Sequence, residues 1–137
     1  MVSLHRFAVL QVVLLGACVS AYLAGNLSLL FVGDAKWFSI GVLLFTVIGL
    51  GCIARGRFED AGWISERLVR IGVIAMQVGI FSAVSTMGIK LMGSANIMQI
   101  AGVFMSSMSV GFTVSILALA ANLWLDFNIK LLGGEDV

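Results

Sequence analysis

Between Arg70 and Lys90 the chain reads IGVIAMQVGIFSAVSTMGI (71–89), without a single charged residue. A helix that crosses a bilayer needs roughly 20 mostly apolar residues, because ~1.5 Å of rise per residue must span a hydrocarbon core about 30 Å thick. It must also be helical, since lipid offers no partner to a backbone N–H or C=O. The same pattern recurs on both sides. No charge lies between Arg6 and Asp34, between Lys36 and Arg55, or between Lys90 and Asp126. The last interval is longer than one span, and the turn-prone run Gly93-Ser94-Ala95-Asn96 near its start separates two helices. The expected fold is an all-α integral membrane protein of about four transmembrane helices, near 7–31, 37–54, 68–90 and 97–125. The whole of 1–137 then forms one transmembrane domain.

Composition agrees. Hydrophobic residues make up 61% of the 137 and charged residues 11%, whereas a soluble domain carries roughly 25% charge to solvate its surface. Proline is absent, so nothing obliges a helix to break. With a net charge of +1 and no basic run, nucleic acid is excluded as a partner and membrane lipid takes its place.

Lysine and arginine set the orientation. With the N-terminus inside, Arg6, Arg55, Arg57, Arg67, Arg70 and Lys130 fall on one side, and Lys36 and Lys90 on the other. Positive residues favour the cytoplasmic face, so both termini are expected there, in a multi-pass protein of the bacterial inner membrane. His5 and Arg6 ahead of an apolar run ending at Val19-Ser20-Ala21 also have the pattern of a cleaved secretory signal. Leu15-Gly16-Ala17-Cys18 loosely has that of a lipoprotein box. The apolar stretch continues through Leu29, Leu30 and Phe31, which favours a retained helix. Trp37, Trp63 and Trp124 fall near the expected boundaries, where an amphipathic indole is best accommodated. Arg55 to Arg70 reads as a short cytoplasmic link. Within it Glu66 stands four residues before Arg70, a favourable helical pair.

The chemistry of catalysis is missing. No Asp, Glu, Lys, Arg or His lies deep in an expected span, so a serine there has no activating base beside it in sequence. A serine deep in a span without an activating base is inert, so an enzyme is not expected, and neither is a cofactor or metal. Cys18 and Cys52 fall at different depths and read as small apolar residues.

Small residues form stripes on the last two helices. On the third, Gly72, Ala75, Gly79, Ser82, Ala83 and Thr86 recur at helical spacing. The fourth carries Gly102, Ser106, Ser109, Thr113 and Ala120 on one face, and Ser107, Gly111, Ser115, Ala118 and Asn122 on the opposite one. Small residues let helix backbones approach closely. Gly72, Gly79, Gly102, Gly111 and Ser115 are the expected packing positions. Two opposed small faces on one helix imply protein on both sides, hence a homo-oligomer. The first two helices, rich in Leu, Val and Phe, are expected to face lipid.

The runs Val78-Gly79-Ile80-Phe81-Ser82-Ala83-Val84-Ser85-Thr86-Met87-Gly88 and Ser106-Ser107-Met108-Ser109-Val110-Gly111-Phe112-Thr113-Val114-Ser115-Ile116-Leu117-Ala118 carry a resemblance. They resemble the paired helices of the proton-channel family of flagellar stator A subunits and TolQ/ExbB proteins. The resemblance covers Arg67 to Leu125, about half the chain. It implies a pentameric ring around a single-span partner bearing a membrane Asp, and passage of protons. Ser82, Ser85, Thr86, Ser106, Ser109 and Thr113 would then line the pore side. Ala83 and Met108 stand where the family has threonine, and the family's large cytoplasmic domain has no room here. Two other functions are open to such a chain. One is a non-conducting scaffold in a secretion or respiratory complex. The other is a holin-like pore former, for which Gly133-Gly134-Glu135-Asp136-Val137 would be the charged tail.

Overall fold

The computed structural model describes residues 4–25, 35–93 and 96–133. They form four helices, α1 (Leu4–Leu23), α2 (Ala35–Ala54), α3 (Phe58–Met92) and α4 (Ile97–Gly133), with no strand among the described residues. All four are long and apolar enough to cross a membrane. The fold is all-α, and its differences from the expected boundaries have physical causes.

The first helix, expected to reach 31, stops at Leu23. Gly25 N–H donates to the Tyr22 carbonyl, and Gly25 takes a φ of 79°. That left-handed conformation costs glycine little and is a common way to end a helix. Residues 26–31 and Asp34 lie outside the described residues. At the end of α2, Gly56 N–H donates to Ile53 and Arg57 N–H to Cys52, both at 2.9 Å, with Gly56 at a φ of 75°. This is the Schellman arrangement, which satisfies two carbonyls left over at a helix end.

α3 then starts at once. The segment expected as a link over 55–70 is a turn at 55–57 followed by helix. Charge marks where the apolar part of a helix ends, and the helix itself continues. Glu59 and Asp60 sit in the first turn of α3, where a negative charge meets the positive end of the helix dipole. Arg57 pairs with Asp60 at 2.6 Å, and among the described residues no ion pair joins Glu66 to Arg70. Arg67 instead lies over the Trp63 ring, 4.6 Å from its centroid. α4 likewise runs on from 125 to Gly133, and begins where Asn96 accepts the Met98 N–H through its side chain at 3.2 Å. Ser94 and Ala95 of the expected turn, and the tail 134–137, lie outside the described residues.

α1 and α2, of 20 residues each, are about 30 Å long, the thickness of the hydrocarbon core. α3 and α4, with 35 and 37 residues, reach about 52 and 55 Å. They lie antiparallel along their whole length, from Phe58 beside Gly133 to Met87 and Leu91 beside Ile97 and Phe104. α2 packs into this hairpin through Val42 and Ile53, which join Ala61, Ile64 and Leu68 of α3 and Ala118 and Leu125 of α4 in one core. A smaller cluster, Ala75 and Val114 with Phe38 against them, continues it. α1 buries no residue; Phe7 touches the core from outside. α2 therefore contributes to the core, and α1 is left with its apolar surface almost entirely outward. The start of α1 and the end of α4 lie at the same end of the bundle, where His5 and Arg6 share a groove with Leu131 and Leu132.

Candidate functional site

The α3–α4 contact is built from residues too small to hold the backbones apart. A Cβ on Gly79 would stand 2.9 Å from Gly111 Cα, and one on Gly111 would stand 3.1 Å from the Ala75 carbonyl oxygen. A Cβ on Gly72 would meet the Ala118 Cβ at 2.9 Å, with Ser115 backbone at 3.5 Å. Gly72, Gly79, Gly111 and Ser115 thus lie together within one chain. Gly102 does not join them: nothing lies within 4 Å of where its side chain would be. One small face of α4, running through Gly111, Ser115, Ala118 and Asn122, is turned to α3. The other, with Gly102, Ser106, Ser109 and Ala120, is exposed.

The hydroxyls singled out in the sequence divide in the same way. Ser82, Ser85, Ser106 and Ser109 are exposed, and Thr86 and Thr113 half-buried. Thr86 Oγ1 donates to the Ser82 carbonyl at 2.8 Å and Thr113 Oγ1 to the Ser109 carbonyl at 2.7 Å. Each hydroxyl is satisfied by its own helix, a bond that apolar surroundings favour and that needs no neighbour. Within a single chain the six do not enclose a channel.

Two polar clasps lie nearer the charged ends of α3 and α4. In the first, Ser65 of α3, buried, meets Asn122 and Asp126, one turn apart on α4. Asn122 Nδ2 donates to the Ser65 hydroxyl at 2.6 Å and its carbonyl at 3.0 Å, while the hydroxyl donates to Asp126 Oδ1 at 2.8 Å. In the second, Gln11 of α1 meets Asn128 and Trp124 of α4. Gln11 Nε2 donates to Asn128 Oδ1 at 2.9 Å, and the Trp124 indole N–H donates to Gln11 Oε1 at 3.3 Å. Asn128, fully buried, donates in turn to the Trp124 carbonyl at 2.8 Å. No buried side-chain nitrogen or oxygen among the described residues lacks a partner. Trp124, expected as a boundary residue, is therefore a tie between helices.

Sequence reasoning missed Gln11, Ser65 and Asn128. For Gln11 the readable signal was an amide within an apolar run, because such a group in lipid must find a protein partner; Ser65 and Asn128, among charged residues, gave none. The same signal points to Gln77, also missed. It lies midway along the charge-free part of α3, on the face turned away from α4, and is exposed. Among the described residues no three of His, Cys, Asp and Glu gather as a metal site. No protein-family model, curated protein or solved structure matches the chain.

Proposed function

We propose that this chain is a ring-forming subunit of the inner membrane, with both termini cytoplasmic, which surrounds a partner helix and contributes to ion passage. The observation that carries the reading is Gln77. An exposed amide near the middle of a membrane-spanning segment is costly against lipid, and a neighbouring subunit or a water-lined path relieves that cost. The uncovered face with Gly102, Ser106 and Ser109 supplies a second surface on which close approach costs little. A ring gives every copy protein on both faces. The hydroxyls cannot carry a proton at neutral pH, so the titrating group belongs to the partner, an Asp on a single span.

A scaffold without conduction is favoured by a different observation, the bonding of Thr86 and Thr113 to their own carbonyls. Copy number and symmetry in nanodiscs test the assembly. More than one copy is expected, five if the resemblance extends that far, and Gln77→Leu should shift the distribution toward monomer. A monomer in mild detergent and nanodiscs alike overturns the proposal. Proton flux in vesicles then separates the two readings. Flux that needs a single-span partner with a membrane Asp supports the channel, and none from an assembled complex selects the scaffold.

A further inference from the structure

Asp126 is the first charged residue on α4 and Lys130 follows one turn later, on the same exposed face. Opposite charges at this spacing commonly pair, yet among the described residues no ion pair joins them. Both line a groove of about 670 Å³ whose remaining wall is apolar, with Leu123 and Phe127 of α4 and Leu14 of α1. Asp126 accepts the Ser65 hydroxyl through Oδ1 and still reaches this groove. The groove thus has an apolar stem within a charge-free stretch and a head of one carboxylate and one ammonium where charge resumes.

We infer that this groove holds a phospholipid whose headgroup carries a primary ammonium, of the phosphatidylethanolamine type. The lipid's phosphate lies against Lys130 and its ammonium donates to Asp126, while an acyl chain follows Leu123, Phe127 and Leu14. Such a headgroup presents a counter-charge to each of the two side chains. A second copy of the chain placing an apolar helix here would leave Asp126 and Lys130 facing a surface without either. The inference does not depend on ring formation, since every wall of the groove comes from one chain.

Native mass spectrometry of the full chain, released from detergent with equal amounts of added phosphatidylethanolamine, phosphatidylcholine and phosphatidylglycerol, provides the test. Phosphatidylcholine keeps the positive charge but has no N–H to donate, and phosphatidylglycerol has no cation at all. Ethanolamine lipid should be retained roughly tenfold over either, as one charge-assisted hydrogen bond allows. Asp126→Asn keeps an oxygen for Ser65 and should erase the preference. Lys130→Gln should weaken all three, and Lys36→Gln, at the far end of the bundle, none. Equal retention of the three lipids, or a preference that survives Asp126→Asn, overturns the inference. So does a complex in which a second chain fills the groove and lipid is absent.

Discussion

α3 and α1 are both long apolar helices, yet they are held by opposite means. α3 meets α4 through glycine and alanine along a continuous seam, with Gly79 against Gly111 and Gly72 against Ala118. α1 buries no residue, and its Gln11 hydrogen-bonds to Asn128 and Trp124 of α4. In water the exposed apolar surface of α1 would drive it inward. In lipid it would not, because lipid tails solvate leucine as well as protein does, and close fit and hydrogen bonds would decide the contacts instead. α1 is the more hydrophobic to look at, and α3 the better packed.

The comparison is broken most directly by glycine substitutions. Gly79→Leu should destabilise the chain by roughly 1–3 kcal/mol, because the contact it invades is backbone and cannot step aside. Gly16→Leu on α1, where nothing lies within 4 Å, should leave stability unchanged. Reversible unfolding in mixed micelles measures both, and equal effects would refute the seam. Next in size is Gln11→Leu. It removes the bonds to Asn128 and Trp124 and should cost about 0.6–1.7 kcal/mol. Spin labels at positions 15 and 123 should then report a wider α1–α4 separation, with labels across α3 and α4 unmoved. The smallest effect is expected for Thr113→Val. Its hydroxyl serves only the Ser109 carbonyl, so stability should stay within about 0.5 kcal/mol. A larger loss in the same unfolding assay would mean that this hydroxyl has a second partner.

Charge-free intervals were enough to find four helices, because lipid excludes charge whatever the packing. They could not give helix ends. α3 begins ten residues before its apolar part, since Glu59, Asp60, Glu66, Arg67 and Arg70 are all compatible with helix in water. The end of α1 was legible in Gly25-Asn26 and was overridden by the apolar residues beyond it. Small-residue spacing on α4 separated the two faces, but not which of them meets α3. That depends on which face also carries a polar match, and the match is Asn122 with Ser65 across the seam. The clasp of Gln11 with Asn128 joins residues 117 positions apart. A single sequence shows each amide and gives no sign that they belong together.

That separation also fixes an order of events during biogenesis. α1 leaves the ribosome before α4, which carries the partners of the Gln11 amide, so that amide stays unmatched by them until α4 is made. α3 and α4 are neighbours in sequence and can zip as soon as both are inserted. A chain cut short after α3 would leave the Gln11 amide without its partners Asn128 and Trp124 and open to quality-control proteases. Docking of α1 on α4 is thus a molecular sign that synthesis has passed α4.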